Sequence, residues 1–213
     1  MMHNGRMRVP MKRNGFTLVE MLVVIAVTAL LSGLAIVYSH VGQNQIALSV
    51  ESSKVAQLIL EAKDLSVATY SDKQTTCGYG LHFDYTAQQY SLFEYDLPSG
   101  QTVCPSLGAL TAAGYMQSSG ALLETEYAGG SWNVAPAQGV ALVDGAAASG
   151  TIRDIIFYPP DPFTLISYDG KTLYDSYNAT MAPDTAGGNI YLATVDGSDE
   201  RAVAMSFAGQ VNL

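Results

Sequence analysis

The sequence predicts an α+β fold, with one long N-terminal helix, membrane-spanning in its first half and amphipathic in its second, packed on a C-terminal antiparallel β-sheet domain. Three observations predict it. Residues 16–38 are almost uninterruptedly apolar, residues 43–71 contain no proline and repeat apolar side chains at three- and four-residue steps, and beyond Lys73 short aromatic runs alternate with Gly, Pro, Asn and Asp. The segments that follow are 1–15, a basic leader; 16–38, the apolar helix; 39–72, its amphipathic continuation; and 73–213, the β-rich domain.

With 213 residues, 48% hydrophobic and 14% charged, the chain is neither a disordered, a collagen-like nor a disulfide-framework sequence. Its charge is unevenly placed. Arg6, Arg8, Lys12 and Arg13 are four of the ten basic residues, and all 19 acidic residues lie at Glu20 or later. Without residues 1–15, six basic residues face 19 acidic ones, a side-chain net charge of −13. Such a surface repels a phosphate backbone, which is held by clustered Lys and Arg. Nucleic acid is therefore not an expected partner.

Residues 16–38 carry one charged side chain, Glu20. As a helix they cover about 34 Å, against a hydrocarbon core of roughly 30 Å. The basic run before them and the lack of Lys or Arg until Lys54 put the N-terminus in the cytoplasm and the remainder outside. A cleaved secretory signal fits poorly, because its apolar run is short and followed by a small-x-small cleavage site. Here the run is longer and ends in Ile36-Val37-Tyr38-Ser39-His40.

The distinguishing residues precede the run: Lys12-Arg13-Asn14-Gly15, then Phe16-Thr17-Leu18-Val19-Glu20. Here the sequence resembles the type IV prepilins and type II secretion pseudopilins over the leader and the whole apolar helix. The resemblance implies that a membrane prepilin peptidase cuts between Gly15 and Phe16 and N-methylates Phe16. It also implies a role for Glu20. A carboxylate at the centre of a membrane helix costs about 2.5–3.5 kcal/mol on insertion scales and is normally paired or functional. In the family that glutamate meets the N-terminal ammonium of a neighbouring subunit, so Glu20 would set the register of a polymer; in an ordinary anchor it would be an interfacial group reaching for water. The implied partners are other pilin or pseudopilin subunits, the prepilin peptidase, an inner-membrane assembly platform and, before assembly, membrane lipid. The implied location is the inner or cytoplasmic membrane, single-pass, with a periplasmic or extracellular C-terminal domain. Thr28, Ser32 and Gly33 are small enough for close helix packing. The first proline after the leader is Pro98, so any melted stretch in the helix belongs near Ser32-Gly33.

Beyond Tyr38, Val55, Leu58, Ile59, Ala62, Leu65 and Ala68 or Thr69 mark one face of a helix, read as a face packed on the chain's own sheet. Glu51, Lys54, Glu61, Lys63 and Asp64 mark the outward face, with Glu51 and Lys54 spaced for a surface pair. A helix from residue 16 to about 70 would be roughly 80 Å long, a spine rather than part of a globule.

In the C-terminal domain, Tyr79–Asp84 and Gln89–Tyr95 read as a hairpin around Tyr85-Thr86-Ala87, and Val140–Val143, Thr151–Tyr158, Asn189–Val195, Arg201–Phe207 and Gln210–Leu213 as further strands. The prolines after Tyr158 end a strand, since proline cannot donate to a ladder. The order of helix, Gly-Tyr-Gly-Leu-His-Phe-Asp, Ile-Ile-Phe-Tyr-Pro-Pro and Val-Ala-Met-Ser-Phe resembles the minor pseudopilin and minor pilin branch called GspH and FimT. The DNA-uptake role associated with basic C-terminal residues in FimT-like proteins does not transfer, because residues 207–213 have none. Cys77 and Cys104, the only cysteines, both lie beyond the membrane helix, and a disulfide is the expected state outside the cytoplasm, with two free thiols as the alternative.

No zinc-protease motif, nucleophile elbow, phosphate loop or Cys-x-x-Cys occurs, and His3, His40 and His82 are scattered, so no enzyme is expected. Asp196, Ser198, Asp199 and Glu200 gather hard oxygens in one turn, the ligand type calcium takes, although a solvated acidic hairpin tip is the preferred reading and no cofactor is expected. Asn178-Ala179-Thr180 matches a glycosylation sequon, of little meaning behind a prokaryotic leader. The expectation is a structural subunit, of the minor kind, in a type II secretion pseudopilus or type IV pilus. The alternative is a signal-anchored extracytoplasmic binding or enzyme module that does not polymerise.

Overall fold

The computed structural model describes residues 17–69, 76–96, 102–111, 133–145, 150–159, 163–178, 182, 184 and 186–213. Gly15 and Phe16, Pro98 and the last two residues of the sequon lie outside them. The chain divides into two units, Met1–Gly42 and Gln43–Leu213. Helix α1, Leu18–Thr69, contributes to both and is unbroken at Ser32-Gly33.

In the second unit the strands are β1 (Thr76–Asp84), β2 (Gln89–Asp96), β3 (Asn133–Val134), β4 (Val140–Val143), β5 (Asp154–Tyr158), β6 (Phe163–Ser167), β7 (Gly187–Thr194), β8 (Glu200–Ser206) and β9 (Val211–Asn212), with a single turn of helix, α2 (Leu107–Leu110), between β2 and β3. They form a five-stranded sheet ordered β3-β2-β1-β5-β6 and a four-stranded sheet ordered β4-β7-β8-β9. All named strand pairs are antiparallel.

The fold is therefore α+β. The β1–β2 hairpin closes on Tyr85–Gln88, where Asp84 Oδ1 accepts hydrogen bonds from the Thr86 and Ala87 backbone N–H groups. Phe163–Ser167 was not anticipated as a strand; it returns after the proline run to pair with β5. The stretch read as one strand, Thr151–Tyr158, is two pieces. Thr151 bridges Asn189 of β7 in parallel, and only from Asp154 does the chain join the first sheet. Arg153 thus marks the crossing between sheets.

The main core lies between the sheets and the second half of α1. Val55, Ile59 and Ala62 are fully buried there with Tyr79, Leu81, Phe83, Ile155, Phe157, Ile190 and Val203. Each large apolar side chain removed from water stabilises by about 1.5–3 kcal/mol. Ser66, on the same helix face, donates to the Phe157 carbonyl at 2.7 Å. A second cluster, Cys77, Phe93, Tyr95, Leu110, Ile156, Leu165 and Leu173, covers the other face of the first sheet. Gly80 makes room for it: a Cβ there would stand 2.6 Å from the Phe93 ring and 2.3 Å from the Ile155 carbonyl oxygen.

One element of the helix pattern is corrected. Glu51 does not face outward; it is 1% exposed. Tyr90 of β2 donates its hydroxyl to Glu51 Oε1 at 2.5 Å, and Lys54 approaches the same oxygen at 3.6 Å while lying over the Tyr90 ring. Burial, with the hydrogen bond and charge of Glu51, pushes the Tyr90 phenol well above its ordinary value. Lys63 also leaves the outward set, reaching the Gly209 carbonyl at 3.3 Å.

Candidate assembly site

The first described residue, Thr17, is the N-cap of α1. Its hydroxyl accepts from the Glu20 backbone N–H at 3.3 Å, and its carbonyl accepts from Met21 N–H at 3.2 Å. Thr17-Leu18-Val19-Glu20 is thus the first half of a capping box, a signal the sequence reading passed over. It changes the electrostatics of Glu20. The carboxylate belongs to the third helical residue, within the first turn, where the positive end of the macrodipole favours an anion.

From Leu18 to Ala35 the helix is long and apolar enough to cross a membrane. Its large side chains are exposed on every side, from Leu18 at 80% to Val27 at 50%. The hydroxyl of Thr28 is satisfied within the helix, by the carbonyls of Val24 at 2.9 Å and Ile25 at 3.0 Å, so it asks nothing of an apolar surrounding. A Cβ at Gly33 would meet no atom within 4 Å.

In the second unit, Cys77 and Cys104 form a disulfide with Cα atoms 5.5 Å apart. It ties the start of β1 to the segment carrying α2. The acidic turn is engaged by its own fold: Asp196 Oδ1 accepts from the Ser198 hydroxyl and N–H, Asp196 Oδ2 from Asn44 at 3.3 Å, and Asp199 Oδ2 from Gln45 at 3.0 Å. Hydrogen bonds from Thr194 and Ser198 hold the Asp196 carboxyl down at about 2. These bonds dock the hairpin tip on α1. Among the described residues, no three His, Cys, Asp or Glu side chains gather as a metal site.

His82 is not isolated. Its Nδ1 lies 2.7 Å from Oδ1 of Asp154, directly opposite on β5. Nothing local in the sequence signals a partner 72 residues away.

Residues 10–36 match the model of the prokaryotic N-terminal methylation motif. The chain carries that motif, which is consistent with a type IV pilin-like or pseudopilin subunit, and the match ends within the apolar helix. No curated protein and no solved structure matches the chain.

Proposed function

We propose that this chain is a structural subunit, of the minor class, of a type II secretion pseudopilus or type IV pilus. The observation that carries the reading is the methylation motif at residues 10–36 running into an all-round apolar helix whose first turn holds Glu20. In this reading residues 1–15 are a leader, the prepilin peptidase cuts after Gly15 and methylates Phe16, and residues 16–38 span the cytoplasmic membrane with the N-terminus inside. Residues 39–72 continue the helix into the extracytoplasmic domain 73–213.

The function is mechanical and needs no cofactor. Before assembly, lipid covers the apolar helix; in the filament, the helices of other subunits do. Van der Waals packing supplies cohesion there, since lipid tails are as apolar as leucine. Glu20 supplies register by meeting the Phe16 ammonium of a neighbour. The minor class and the likeness to GspH and FimT rest on the order of sequence segments in the β-domain.

Replacing Glu20 with Ala while keeping Gly15 tests the reading. The expected product is still cut and methylated, as mass spectrometry of its N-terminus reports, but fails to enter filaments. Normal incorporation would overturn the register role, and native material beginning at Met1 would overturn the subunit reading.

A further inference from the structure

We propose that His82 of β1 and Asp154 of β5, neighbours within the first sheet beside the point where the chain crosses to the second, form a proton-operated latch, closed when the imidazole is charged and loosened when it is neutral. The geometry carries this. Asp154 is completely buried, with one carboxylate oxygen on His82 Nδ1 and the other, Oδ2, without a hydrogen-bond partner among the described residues. A buried carboxylate held so sparsely depends on the charge of its neighbour.

Among the described residues, the charged groups facing His82 are few: Asp154 from β5, Arg153 immediately before it, and Asp84 from two positions along its own strand. From β2 the residue opposite is Ser91, which is neutral, and on the far side of Asp154 it is Ser167 of β6. The balance favours the cation. Burial lowers the His82 pKa, but the hydrogen bond to Asp154, with the charges of Asp154 and Asp84, outweighs both burial and Arg153 and leaves it above the ordinary value.

The location gives the pair its leverage. Asp154 is the first residue of β5 after the chain crosses from the second sheet at Arg153. Around that crossing, Tyr85 donates its hydroxyl to the Ile152 carbonyl at 2.5 Å, Phe83 N–H bonds the Arg153 carbonyl at 2.8 Å, and the Arg153 guanidinium pairs with Asp144 at 2.8 Å while lying over the Tyr85 ring. The contact through His82 rests on an imidazole, the side chain whose ordinary pKa lies between pH about 5 and 8. A raised folded-state pKa means that the latch stabilises fully below the unfolded histidine value of about 6.5 and is lost as pH climbs through the folded value. The latch acts wherever the domain resides; a domain outside the membrane, as proposed above, meets the pH of its medium.

The test uses the full chain in detergent micelles. In a variant with His3→Gln and His40→Gln, His82 is the sole histidine, and its imidazole proton resonances should titrate with a midpoint above 6.5 that falls when Asp154→Asn is added. The thermal midpoint of the wild type should drop between about pH 6 and pH 8.5, and His82→Gln should flatten that drop. A midpoint at or below 6.5, or one unmoved by Asp154→Asn, overturns the latch, and so does an equal thermal slope with and without His82. If His82→Gln does not fold, the proton titration decides alone.

Discussion

Replacing Gln88 with alanine removes a piece of side chain that behaves as an extra strand. Gln88 ends the β1–β2 turn of the first sheet, yet its amide pairs with the backbone of Leu142 in β4, the edge strand of the second sheet. Gln88 Nε2 donates to the Leu142 carbonyl at 2.9 Å, and Leu142 N–H donates to Gln88 Oε1 at 2.9 Å. The same Nε2 donates to the Tyr85 carbonyl at 2.6 Å. Gln88→Ala deletes all three bonds. At about 1 kcal/mol net each, discounted for water reaching an edge strand, the expected loss is about 2–3 kcal/mol. Gln88 also has a φ of 55°, the left-handed region where a side chain is strained. Gln88→Gly loses the same bonds but relieves that strain, and should be less damaging than Gln88→Ala by about 1 kcal/mol. Urea unfolding of the full chain in micelles, followed by the near-ultraviolet circular dichroism of the tyrosines, measures both. An alanine variant within about 0.5 kcal/mol of wild type, or a glycine variant worse than alanine, would refute the amide-as-strand reasoning.

Two other predictions concern the same domain. Breaking the Cys77–Cys104 link, with its sequence separation of 27, should cost about 3.5 kcal/mol in the chain-entropy model, read as a lower urea midpoint in reductant that a Cys77→Ser/Cys104→Ser variant reproduces without reductant. At acid pH the turn carboxylates should fail together. N–H donors at Ala87 and Thr86 hold Asp84 low; at Asp169 burial raises the pKa but the Thr172 and Lys171 N–H groups outweigh it; and Asp196 sits at about 2. Their stabilisation is present above the unfolded value of about 3.9 and is lost as pH falls through the folded values, so Asp84→Asn, which keeps the turn acceptor, should flatten the acid limb of an unfolding curve.

The parts of this fold legible in the sequence are those governed by local periodicity. Val55, Leu58, Ile59 and Ala62 are buried as their spacing demands, and Val140–Val143 stands out from an Ala- and Gly-rich stretch as a short run of apolar residues, alternately buried in the fold. What escaped reading depends on distant partners. Glu51 looks like a surface carboxylate until the Tyr90 hydroxyl arrives from 39 residues away. Phe163–Ser167 is short and follows prolines, so nothing local separates it from a loop; pairing with β5 makes it a strand. In the candidate site the apolar run was legible from composition, whereas the cap at Thr17 rests on one hydroxyl whose bond to the Glu20 N–H exists only once the helix starts at Leu18.

That place in the first turn bears on how one acid can serve both lipid and filament. A carboxylate deep in an apolar helix would drive association with any available cation, at a standing cost in the membrane. At the third helical position Glu20 lies within the first turn, the end of the helix dipole that favours an anion. In the function proposed above, a neighbouring ammonium would add a charge-assisted contact to a carboxylate that already lies in the first helical turn. The acidic turns follow the same economy at a different scale. Asp84, Asp169, Asp175, Asp184 and Asp196 each accept backbone N–H groups two or three residues on, so these five carboxylates are engaged in closing loops.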